Sequence, residues 1–110
     1  MKELEKGKPQ IVVSIIDYVL HAVVSKTILR KTTGNVTIMS FDMGEELAEK
    51  TSPFDTFIQI VDGMAEIKIN KEKFKLKLGD GIVIPANAPH VFNADVRFKM
   101  ISTIIKSGYE

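Results

Sequence analysis

The sequence predicts an all-β domain of the sandwich or barrel type, and three observations carry that prediction. Short β-branched and apolar runs recur at close spacing, with turn residues between them. One segment alternates lysine with apolar residues at period two, the signature of a strand with one wet face. The 110 residues contain no repeat, low-complexity tract or linker, so they make one domain with one core.

The elements follow in order. Residues 1–10 are rich in Lys and Glu and read as a flexible, solvated leader, leaving 11–110 as the domain. Within 11–20, Val12, Ile15, Ile16 and Val19 repeat at helical spacing, with Ser14 and Asp17 off that face. This predicts a short helix packed on the barrel, although the β-branched content favours a strand. Residues 23–29 and 36–41 are β-branched runs split by Thr33-Gly34-Asn35. Residues 57–61 and 64–69 flank Asp62-Gly63, which predicts a hairpin there. Residues 70–72 make the next turn. Phe74, Leu76 and Leu78 then alternate with Lys73, Lys75 and Lys77. Gly79-Asp80-Gly81 turns into residues 82–84, and Pro85 ends that strand because it has no N–H for a ladder. Residues 90–93 and 98–105 supply the last strands.

Composition excludes several function classes. There is no cysteine, hence no disulfide, thiolate chemistry or Cys-based zinc motif. No apolar run reaches the roughly 20 residues that cross a bilayer. The charged N-terminus has no apolar signal core, so the cytoplasm is the expected compartment and no membrane partner is expected. Net charge is +1 with both signs interspersed. The lysines of residues 71–77 form one solvated, edge-protecting face without interleaved aromatics, so no nucleic-acid partner is expected.

Residues 79–93 read Gly-Asp-Gly-Ile-Val-Ile-Pro-Ala-Asn-Ala-Pro-His-Val-Phe-Asn. This closely resembles the second cupin motif, with Gly79, Pro85 and His90 in place and Asn93 one residue early. Asn87 stands where the motif has Gly, an exchange that suits a positive φ. Counting the first cupin motif from Gly44 places Lys50 and Ser52 at its two His positions and Thr56 at its Glu. Gly63 then falls on the closing Gly. The chain therefore resembles the small, single-domain cupins over residues 34–106, with the metal motif degenerate. The resemblance implies a double-stranded β-helix, or jelly-roll barrel, and a homodimer. In members with all four ligands it implies a divalent metal.

Only His90 of those ligands remains. A cupin metal needs about four N and O donors converging on it. Lys50 is normally an ammonium without a lone pair, and Ser52 and Thr56 are weak neutral ligands. No metal and no other cofactor is therefore expected. Gln59 could substitute only if a bulge near Asp55 reversed strand parity, because Thr56, Ile58 and Ile60 share the other face. His90 is the one candidate catalytic residue, a base because imidazole's unperturbed pKa lies near neutrality; as a lone His it reads more readily as a satisfied barrel-mouth side chain. Lys50 beside His90 would favour a small anionic ligand, unless the lysine pairs with Glu49 or Asp55 or simply leans into water. His21 has no motif around it and reads as a surface residue.

Four functions fit these residues. The first is a metal-free module that binds a small, possibly anionic molecule through Lys50, Ser52, Thr56 and His90, with Asp55 and Gln59 as further candidates. The second is a metal-independent isomerase or epimerase with His90 as base and Asp55 as its orienting acid. A metal-dependent dioxygenase or decarboxylase comes third. The fourth is a structural dimer whose lumen is shut by Phe41, Phe57, Phe92 and Met100. Fold alone does not choose among them.

Overall fold

A computed structural model describes residues 2–109; Met1 and Glu110, the outer ends of the expected leader and domain, lie outside the described residues. Seven strands form the barrel: β1 (Val23–Lys31), β2 (Gly34–Phe41), β3 (Thr56–Ile69), β4 (Glu72–Lys77), β5 (Gly81–Ile84), β6 (His90–Asn93) and β7 (Phe98–Ile105). All pairings are antiparallel. One sheet runs β1-β2-β7-β3, with β5 on the far edge of β3. The other holds the C-terminal half of β3 between β4 and β6. The core lies between them, where Phe41 stacks on Phe98 at 4.4 Å and tilts against Phe92 at 6.0 Å. The fold is the all-β jelly-roll barrel that the motifs imply.

The hairpin expected at Asp62-Gly63 does not form. A two-residue type I′ turn needs positive φ at both central residues, and here only Gly63 has it, at +72°. The pair instead stays in the β3–β7 ladder, Asp62 opposite Lys99 and Gly63 opposite Phe98, just past an irregularity at Val61. Such a bulge bends a strand without ending it, so β3 runs on and passes from one sheet to the other. The hairpin that does form turns at Asn70, with φ of +55°, and joins β3 to β4.

The helix expected within 11–20 reduces to one 3-10 turn, Val12–Ser14. Its N-cap, Ile11, makes no side-chain cap, and β-branched residues resist helix. Only Ile16 of the expected apolar face is buried; Val12 and Val19 are exposed. Polar anchors hold the segment on the outside of the barrel, where Ser40, Lys99 and Asp62 form one cross-strand row. Ser40 Oγ donates to Asp17 O at 2.9 Å and Lys99 Nζ to Val13 O at 2.6 Å. Tyr18 OH donates to Asp62 at 2.7 Å, and its ring lies within 5 Å of both Arg97 and Lys99. Burial and the Asp62 carboxylate push the Tyr18 phenol well above its usual pKa. The leader touches β1, where Leu4 N–H donates to Ile28 O at 3.1 Å and the Glu3 carboxylate accepts Arg30 N–H at 2.6 Å. No helix among the described residues is long and apolar enough to cross a membrane.

Asp42 closes the same segment. Its carboxylate accepts His21 N–H at 2.7 Å and Arg97 Nη2 at 2.8 Å, and these bonds hold its pKa at about 2. A folded-state pKa below the unfolded value of 3.8 makes this contribution present above about pH 4 and lost as pH falls through about 2. Asp42→Asn should therefore lower the urea midpoint at pH 6 and flatten its decline between pH 5 and 2. An unchanged acid slope in the variant would show that Asp42 does not contribute to it.

Candidate functional site

Alternation along β3 sets one wall of an internal cavity. Thr56, Ile58 and Ile60 are buried, whereas Phe57 and Gln59 are exposed on the opposite face. The irregular part of β3 begins only after Ile60, so no bulge near Asp55 turns Gln59 inward. Gln59 therefore faces away from the cavity and does not line it.

A second wall comes from residues 44–52, which carry no strand signal in the sequence yet run antiparallel to β6. Glu46 bridges Asn93 and Lys50 bridges His90. Lys50 N–H donates to His90 O at 3.0 Å, and His90 N–H donates to Lys50 O at 2.9 Å. Residues bonded reciprocally in this way stand directly opposite each other, with side chains on the same side and Cβ atoms about 5 Å apart. Asn87 adopts φ of +67°, as a residue standing in for glycine must, and its N–H donates to Ser52 O at 2.6 Å. That bond fixes the Ser52 loop against the turn before His90.

The result is one cavity of about 200 Å³, which brings Lys50, Ser52, Thr56 and His90 together. Its body is apolar, formed by Met39, Leu47, Ile58, Ile84, Phe92 and Met100. Phe41, Phe92 and Met100 are core residues as expected, but the exposed Phe57 contributes nothing to closing the lumen, which stays open. A wider cleft of about 630 Å³ opens outside, between the edges of β4 and β5. It contains none of the motif's ligand positions and is shallow, so the smaller cavity inside the barrel is the chemically equipped one. Ser102 also lines the cavity and was missed by motif reasoning. Period two along β7 would have found it, because it shares a face with Phe98 and Met100.

His90 Nδ1 lies 3.1 Å from Ala88 O. A carbonyl only accepts, so Nδ1 carries the hydrogen and the neutral ring keeps its lone pair on Nε2. No carboxylate lies within ion-pair distance of Lys50 among the described residues, Glu49 and Asp55 included. Asp55 is exposed and works elsewhere. Its Oδ1 accepts Ala86 N–H at 2.8 Å, and its own N–H donates to Tyr109 OH at 2.7 Å. It therefore neither lines the cavity nor orients His90, whose Nδ1 is occupied by a backbone carbonyl. His21 is exposed, as expected, and uses its backbone N–H rather than its ring.

The donor set does not fit a divalent metal. It offers one imidazole, hydroxyls and an ammonium that repels cations, where such a site needs several converging N or O ligands. Among the described residues no group of three or more His, Asp and Glu side chains could hold an ion.

No family model and no curated protein matches the chain. Solved structures do. A conserved protein of unknown function from Streptococcus pyogenes is 28% identical, with a TM-score of 0.91 over 98% of this chain and 95% of that one. A cupin superfamily protein from Desulfitobacterium hafniense is 26% identical, with a TM-score of 0.89 over 96% of this chain and 97% of that one. A cupin 2 conserved barrel domain protein from Leptotrichia buccalis is 32% identical, with a TM-score of 0.82 over 86% of this chain and 46% of that one. The two motifs, the barrel and these relatives agree: the chain is a small protein of the cupin superfamily.

Proposed function

We propose that this protein binds a small anionic molecule in the barrel cavity without a metal. One observation carries the reading: Lys50, Ser52, Thr56 and His90 line one cavity of about 200 Å³, with a single imidazole and an exposed lysine that has no ion-pair partner among the described residues. An ammonium at the mouth of a low-dielectric cavity attracts a carboxylate or phosphate. Nε2 of His90 accepts a hydrogen bond from the ligand when neutral and adds a second charge when protonated. Calorimetric titration with short carboxylates tests this directly. Binding should be measurable at low ionic strength and weaken as salt rises toward 0.5 M. Equal affinity for a carboxylate and for the alcohol of the same skeleton would sink the anionic reading.

The protein also works as a two-fold dimer in this reading. Leu29, Val36, Thr103, Phe57 and Val83 are successive cross-strand neighbours, forming an outward row across five strands. Phe57 is 41% exposed and Val83 57%, and the ring of Phe57 covers the bare backbone of Gly81. An outward row that is apolar at four of its five positions suits pairing with its own copy. Sedimentation should give a dimer at micromolar concentration, and Phe57→Glu should shift it to monomer. A monomeric wild type would refute the dimer while leaving the cavity reading intact.

A further inference from the structure

Two hydroxyls in the cavity wall have no partner within the protein. Thr56 and Ser102 are each 8% exposed and line the cavity from β3 and β7. The register sets Thr56 opposite Ile104 and Ser102 opposite Ile58. The two are therefore diagonal neighbours on one inward face, about 7 Å apart between backbones. Among the described residues neither hydroxyl donates to or accepts from a protein group, whereas Ser52 Oγ accepts Phe54 N–H at 3.2 Å. Every fully enclosed side-chain N or O among the described residues has a partner. The Thr56 and Ser102 oxygens are therefore not sealed in the wall; they open into the cavity.

The rest of that face is apolar, with Ile58, Met100 and Ile104 beside them. A hydroxyl left unpaired in such a wall costs stability that a methyl group would not. Each hydroxyl offers one hydrogen and two lone pairs. The pair can hold a hydroxyl or a carbonyl oxygen of a ligand, but it has no charge with which to hold an acid. The charge belongs to the opposite wall, with Lys50 and His90. Facing sheets stand about 10 Å apart, and side chains from both walls take up most of that gap. An acid group at Lys50 and His90 and an oxygen at Thr56 and Ser102 are then separated by about two or three bonds of one ligand. The body of the ligand lies among apolar side chains. A dry cavity of about 150 Å³ takes benzene, so one of about 200 Å³ suits a body of about six carbons.

We propose that the cavity selects a short hydroxy or oxo acid. Its carboxylate sits at Lys50 and His90. Its second oxygen, on the carbon next to the acid group or one further on, sits between Thr56 and Ser102. This rests on the anion-binding reading above and narrows it to a chemical class.

Calorimetric titration with hexanoate and its 2-, 3- and 6-hydroxy derivatives tests the proposal. In wild type, the 2- or the 3-hydroxy acid should bind about tenfold tighter than hexanoate. The 6-hydroxy acid places its hydroxyl in the apolar body and should bind no tighter than hexanoate. In Thr56→Val/Ser102→Ala the preference should fall to within about twofold. Hexanoate bound by wild type as tightly as both the 2- and the 3-hydroxy acid would overturn the proposal, leave the two hydroxyls to water and keep the anion-binding reading standing. A 6-hydroxy acid bound tighter than either would do the same, as would a tenfold preference that survives in the double variant. The wild-type series decides the ligand class even where the double variant does not fold. Failure of all four acids to bind wild type would overturn both readings.

Discussion

Gly63→Ala should lower stability by about 3–5 kcal/mol, at the top of the range for single substitutions and a large share of the 5–15 kcal/mol of a small domain. Two costs combine there. An alanine at φ of +72° takes on roughly 1–2 kcal/mol of backbone strain. Its methyl group would also fall on the Arg97 carbonyl oxygen and within 2.9 Å of Phe98 Cα. Both are backbone atoms of the segment entering β7, so relief requires separating β3 from β7 where β3 crosses between sheets. Gly79→Ala is the matched comparison. Its φ is +91°, yet nothing lies within 4 Å of an added methyl, so only the strain remains, about 1–2 kcal/mol. Urea denaturation of the two variants separates crowding from strain. Equal losses would mean that the approach of Arg97 to Gly63 yields freely.

Substitution of Lys50 should produce the largest change in binding. Lys50→Met keeps most of the side chain's length and removes the charge, so carboxylate affinity should fall by about 1–3 kcal/mol, or roughly 5- to 150-fold. The salt dependence should fall with it. Lys50→His is the complementary change. Residue 50 stands opposite His90 in a reciprocal backbone pair, so the new imidazole would lie about 5 Å from the old one at Cβ. Two imidazoles at that spacing, with the hydroxyls of Ser52 and Thr56 nearby, approach a nitrogen and oxygen site suited to Ni or Zn. Zinc affinity should exceed that of wild type at neutral pH. If neither variant alters anion or metal binding, the Lys50 ammonium stays in water and the anion reading loses its support.

Residue patterns alone were enough for the all-β class and for the alternation that faces Thr56 inward and Gln59 outward. These are short-range properties: a period of two, a proline that cannot continue a ladder, an asparagine that tolerates positive φ. The approach of Lys50 to His90 was legible only through motif spacing, because the segment that carries Lys50 has no strand propensity and takes its shape from β6. Asp62-Gly63 misled for a related reason. A positive φ at one glycine serves a hairpin or a bulge equally well, and the pairing of β3 with both sheets decides which one forms. Only the packed chain shows the role of Asp55, whose carboxylate accepts Ala86 N–H, and the facing of the end of β1. The β1–β2 register slips by one residue between Thr27 and Leu29, which inverts every β1 side chain after it, and it is the pairing with β2 that reveals the slip.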